Sequence, residues 1–125
     1  LVENEGHSVV WVNGDPGGEE PHFVACDFMM NDSRAITAEG RVVIENCTFA
    51  ENALNDSGGG IYSTDLLAVR DCLFLGNRSD DTNGGAIWCN DQLTISNCDF
   101  VGNFGILGSA VYLVSSAASS SYIAN

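Results

Sequence analysis

A six-residue motif, Cys-x-Phe-x-x-Asn, occurs four times in this chain: Cys26-Phe28-Asn31, Cys47-Phe49-Asn52, Cys72-Phe74-Asn77 and Cys98-Phe100-Asn103. Successive asparagines are 21, 25 and 26 residues apart. Self-similarity at such a period marks a repeat architecture, whose units cannot bury their apolar faces alone and must stack. A second motif follows each copy at a variable distance: small residues, then Ile or Val, often then an aromatic. It reads Ala35-Ile36, Gly58-Gly59-Gly60-Ile61-Tyr62, Gly84-Gly85-Ala86-Ile87-Trp88 and Ser109-Ala110-Val111-Tyr112.

The period is not helical. No i, i+3, i+4, i+7 stripe persists, and glycine and Asn/Asp are spread along the chain. Short β-rich runs stand between the turn signals, as in Arg41–Ile44, Leu66–Val69 and Gln92–Ile95. The interval from the Ile of the second motif to the apolar residue three before the next Cys is constant: Ile36 to Ile44, Ile61 to Val69, Ile87 to Ile95. The stretch from Asn to Ile varies, so that corner carries an elastic loop. A strand, a corner and another strand form the unit of a parallel β-helix. The expected fold is therefore all-β: a parallel β-helix, or β-solenoid, of about five coils.

Stacking at roughly 4.8 Å sets identical residues above one another. Cys26, Cys47, Cys72 and Cys98 should form an inward column. Phe28, Phe49, Phe74 and Phe100, two residues on and on the same face, should stack beside it. Asn31, Asn52, Asn77 and Asn103 should form an amide ladder at a corner. The coils are expected over about residues 1–21, 22–40, 41–65, 66–91 and 92–118, with 119–125 starting the next, as one segment cut at both ends from a longer array.

At these residues the chain resembles the chlamydial polymorphic outer membrane proteins, whose repeats pair Phe-x-x-Asn with Gly-Gly-Ala-Ile. Gly84-Gly85-Ala86-Ile87 and the four Phe/Asn pairs carry the likeness, which covers roughly residues 22–125. The resemblance implies a right-handed β-helix exposed at a surface, with adhesion as its usual role.

Seventeen acidic residues against four arginines give a net charge of −13. Phosphate neutralisation needs basic residues, so nucleic acid is excluded as a partner. An anionic membrane surface is disfavoured on the same ground, and no direct membrane insertion is expected. No cofactor is expected. Asp80-Asp81, and Asp15 with Glu19-Glu20, offer the oxygens of a weak calcium site; a solvated acidic surface is the plainer reading. The four repeat cysteines read as buried free thiols, with a bridge between stacked neighbours allowed only at a specific dihedral. Cys89 reads as a core filler. His7 and His22 lie in different coils, which speaks against zinc. Sequons occur at Asn31, Asn46, Asn55 and Asn77. Burial should block Asn31 and Asn77, which leaves Asn55 and then Asn46 as acceptors.

Trp11, Tyr62, Trp88 and Tyr112 share the slot after the Ile/Val, interrupted in the second coil by Thr37. If Ile points inward they point outward, as a ribbon that could dock sugar rings or a partner surface. The alternative is that they cover the variable loop. For catalysis, Asp65, Asp91, Asp71 and Asp99 are the acidic candidates, against a plain role as turn residues. The preferred function is a non-enzymatic extracellular or cell-surface rod, structural or adhesive, with end-to-end self-association and a glycan or cell-surface partner. The rival is a carbohydrate-active β-helix enzyme.

Overall fold

The computed structural model describes residues 8–13, 18–54, 58–114 and 121–124. Each turn repeats the same course. The first contains β1 (Ser8–Asn13), β2 (His22–Val24) and β3 (Asp27–Met29). The second contains β4 (Arg34–Glu39), β5 (Val42–Glu45), β6 (Thr48–Ala50) and the short β7 (Ala53–Leu54). The third contains β8 (Ile61–Ser63), β9 (Leu67–Arg70), β10 (Leu73–Leu75) and β11 (Arg78–Ser79). The fourth contains β12 (Ile87–Cys89), β13 (Leu93–Ser96) and β14 (Asp99–Val101); β15 (Val111–Leu113) and β16 (Tyr122–Ala124) begin a fifth. About four turns are thus complete among the described residues, one fewer than the repeat count suggests.

Every strand pairs in parallel with its counterpart one turn away. Sheet I runs β1-β4-β8-β12-β15 and holds the second motif. Sheet II runs β2-β5-β9-β13-β16 and holds the apolar run before each Cys. Sheet III runs β3-β6-β10-β14 and holds the Cys-x-Phe strands, while β7 and β11 pair at the loop corner. Register is like on like: Phe28, Phe49, Phe74 and Phe100 are successive partners, as are Ile36, Ile61, Ile87 and Val111. Three sheets enclose one core, so β5, β8, β9, β12 and β13 bury alternate side chains, while β4 buries all but its last residue. Val42, Ile44, Leu67, Val69, Leu93 and Ile95 point in from sheet II, and the isoleucines point in from sheet I.

The corners turn sharply through left-handed residues. Ala25, Asn46, Asp71 and Asn97, each just before a column cysteine, have φ between 49° and 54°. Met30, Glu51, Gly76 and Gly102, each just before a ladder asparagine, have φ between 53° and 62°. Asn and Asp tolerate this region better than other non-glycine residues. The inter-turn ladder continues through the first of these corners: the N–H groups of Ala25, Asn46, Asp71 and Asn97 donate to Glu45, Arg70, Ser96 and Ala124 carbonyls at 3.0–3.1 Å. Backbone donors are therefore satisfied where the chain bends.

Extra residues enter at two corners. The loops between sheet III and sheet I vary, as the spacing implies. Between sheets I and II, β1 to β2 and β15 to β16 are longer than the tight connections of the middle turns.

Candidate functional site

The interior columns come first, because they position everything outside them. The phenylalanines stack face to face, with centroids 5.0, 4.8 and 4.8 Å apart and planes within 9° of parallel. Beside them Asn31 Nδ2 donates to Asn52 Oδ1 at 2.6 Å, Asn52 Nδ2 to Asn77 Oδ1 at 2.9 Å, and Asn77 Nδ2 to Asn103 Oδ1 at 3.0 Å. The second proton of each amide reaches back to a phenylalanine carbonyl: Asn52 to Phe28, Asn77 to Phe49, Asn103 to Phe74, at 2.8–2.9 Å. Backbone N–H groups of Asn52 and Asn77 donate to the same Oδ1 acceptors. Asn31, Asn52 and Asn77 are buried, so the sequons at Asn31 and Asn77 are sealed. Asn46 is exposed at its corner, and Asn55 lies outside the described residues.

The cysteine column is reduced and almost wholly buried: Cys47, Cys72 and Cys98 are 2–4 % exposed, and Cys26 is half-buried. Each thiol donates to the carbonyl two residues earlier, on Val24, Glu45, Arg70 and Ser96, at 3.0–3.4 Å. Cys89 is a separate core thiol on sheet I, and burial pushes it up from its ordinary acidity.

On the outer side of sheet I the register aligns Trp11, Thr37, Tyr62, Trp88 and Tyr112. Tyr62 and Trp88 stack at 4.4 Å with planes 6° apart. The gap at Thr37 is filled from three residues earlier: the Arg34 guanidinium lies 4.5 Å above the Tyr62 ring, and its Nη1 donates to Thr37 Oγ1 at 3.3 Å. Arg34 is only 7 % exposed. A cation over a ring face is attracted by the quadrupole, so guanidinium and rings form one stack. Both faces of Tyr62 are thereby covered, and the ribbon presents ring edges there. Trp11 differs: it is 61 % exposed, and its Nε1 donates to Glu39 Oε2 at 3.2 Å.

Glu39 leads to the cleft between sheets I and II, a space of about 540 Å³. Glu19, Glu20, Glu39, Asp65, Arg41 and Gly40 are among the residues that line it. Asp65 Oδ1 accepts the Leu66 N–H at 2.6 Å, which fixes this carboxylate as part of its turn. Asp71 and Asp99 border a different groove, between sheets II and III, and Asp91 lines neither space, so the structure does not bring the four acidic candidates together. Asp80 is paired with Arg78 rather than held for a cation, and Asp15 lies outside the described residues. Among the described residues no group of three or more His, Cys, Asp or Glu side chains could hold a metal ion. His22 Nε2 meets Glu45 Oε2 at 3.0 Å, and Arg70 Nη1 meets Glu45 Oε1 at 2.9 Å. Neither the Arg34 stack nor the Arg41 cleft was visible in the repeat, because both are made by residues that do not repeat.

Parallel turns, three sheets and like-on-like interior columns define a β-solenoid. The chain matches the family model described as right handed beta helix region over residues 2–125, and it belongs to that family. No curated protein and no solved structure matched it. No helix among the described residues is long and apolar enough to cross a membrane.

Proposed function

We propose that the chain acts as a non-enzymatic rod at a cell surface or outside the cell, serving a structural or adhesive role. The observation that carries the reading is the continuity of the columns: rings 4.8–5.0 Å apart and an unbroken amide ladder tie each described turn to the next. A shaft built this way resists local opening, because a turn cannot leave without breaking contacts on both sides. The likeness to the chlamydial-type repeats supports a surface setting. Weak contacts repeated along a stiff shaft add up to avidity, and exposed Trp11 is the best placed single ring for a glycan or protein partner. End-to-end contact with a second copy belongs to the same reading.

Electron microscopy of the native, full-length protein tests this. Straight rods or fibres without polysaccharide turnover are expected. Compact particles that cleave a polysaccharide would replace the rod with the rival reading. That rival has one observation in its favour, the cleft that gathers four carboxylates and Arg41. It requires Glu39→Gln and Asp65→Asn to abolish turnover while the fold survives.

A further inference from the structure

We propose that Asn46 is the acceptor of an N-linked glycan. Two of the Asn-x-Ser/Thr sequons are closed by the fold itself. The Asn31 amide donates to Asn52, the Asn77 amide is spent on Phe49 and Asn103, and both asparagines are buried. Asn46 stands instead on the outside of the corner between sheets II and III. It is exposed, and its backbone N–H is already held by the Arg70 carbonyl at 3.1 Å. A glycan there leaves the inter-turn ladder intact.

An acceptor needs a carboxamide and, two residues on, a hydroxyl, presented together at the surface. The left-handed turn at Asn46, with φ 51°, provides this. Asn46 and Thr48 both line one groove of about 390 Å³, while Cys47 between them is buried. The same corner occurs four times: Ala25-Cys26-Asp27, Asn46-Cys47-Thr48, Asp71-Cys72-Leu73 and Asn97-Cys98-Asp99, with φ between 49° and 54° at each first residue. Register sets Asp27, Thr48, Leu73 and Asp99 in one column. Asn97 offers an exposed carboxamide on the same groove, but Asp99 stands where the hydroxyl would be. The fold repeats the geometry at each corner, and the sequence completes the acceptor at one.

The co-substrate is an oligosaccharide carried on a polyprenyl diphosphate. Asn46 Nδ2 attacks its anomeric carbon. The C–N bond forms, the C–O bond to the diphosphate breaks, and the lipid diphosphate leaves. One amide proton passes to a base of the transferring enzyme, and nothing is oxidised or reduced. Passage of the chain through a glycosylating compartment rests on the extracellular reading, so the test supplies that passage itself.

The full chain is secreted from yeast behind a signal sequence. Its folded fraction is then unfolded, treated with a peptide N-glycosidase in heavy-oxygen water, and digested for peptide mapping. Asn46 is expected to carry the isotope mark of a removed glycan, with Asn31 and Asn77 bare. Thr48→Val should abolish the mark at Asn46, and Asp99→Thr should create one at Asn97. An unmodified Asn46 in the folded wild type, a glycan on Asn31 or Asn77 there, or a glycan on Asn46 that survives Thr48→Val would overturn the proposal. The wild-type map decides the matter even if a variant fails to fold.

Discussion

Asn77 makes more of the inter-turn contact than any neighbour of its size. Its amide donates to Phe49 O and Asn103 Oδ1, and its Oδ1 accepts both the Nδ2 and backbone N–H of Asn52. Asn77→Ala strands buried donors and acceptors on both adjacent turns, and the expected loss is about 1–3 kcal/mol in a denaturant titration. An unchanged midpoint would remove the ladder from the account of stability. Met30 makes the opposite case. It holds φ 53° in the corner where Gly76 and Gly102 sit, and its side chain is 52 % exposed. Met30→Gly relieves the left-handed strain and gives up little packing. A gain of about 0.5–1 kcal/mol is expected in the same titration. Residues that recur turn by turn were legible in the sequence, since register turns repetition into contact. The left-handed corners were legible only in part. Asn46, Asp71 and Asn97 carry a turn signal, whereas Ala25, Met30 and Glu51 carry none.

Sheet I shows why an element can defeat a reading made slot by slot. The sequence shows an aromatic column broken at Thr37, and alternation turns it outward. It does not show that Arg34, from the start of the same strand, folds over to complete the stack. The repair consumes ring faces that a ligand would use. Arg34→Ala should cost about 1–2 kcal/mol and change the near-ultraviolet circular dichroism of the Tyr62–Trp88 pair. Arg34→Lys should restore little, because an ammonium lacks the planar fork that spans ring and hydroxyl. A full rescue by lysine would reduce the contact to simple charge. The cleft beside Glu39 was hidden for a related reason. One wall of it, Gly18 to Pro21, comes from the long connection between β1 and β2, which the short connections of the middle turns do not repeat.

Across the whole molecule the buried thiols tie stability to pH. Cys47 and Cys89 are raised above their ordinary 9.0 chiefly by burial, and Cys72 by its contact with Cys98. Groups raised on folding contribute stability that is whole below pH 9 and drains away as pH climbs above it. Cys98, lowered to about 7, works the other way, with a contribution complete above pH 9 and lost as pH falls through 7. Unfolding midpoints of the reduced protein should therefore fall on the alkaline side of pH 9, and Cys89→Ala should flatten that fall. A midpoint that stays level from pH 8 to pH 10.5 would contradict the burial of these thiols.

Like-on-like register has one more consequence. Excising residues 52–76, one turn of 25 residues, would join Glu51 to Asn77. Phe49 would then meet Phe100, Ile36 would meet Ile87, and Asn31 would meet Asn77. Every column would close over the scar. Length in such a chain is therefore quantised, so that a gene could shed or duplicate whole turns by unequal recombination while a single-residue slip would misalign all three walls.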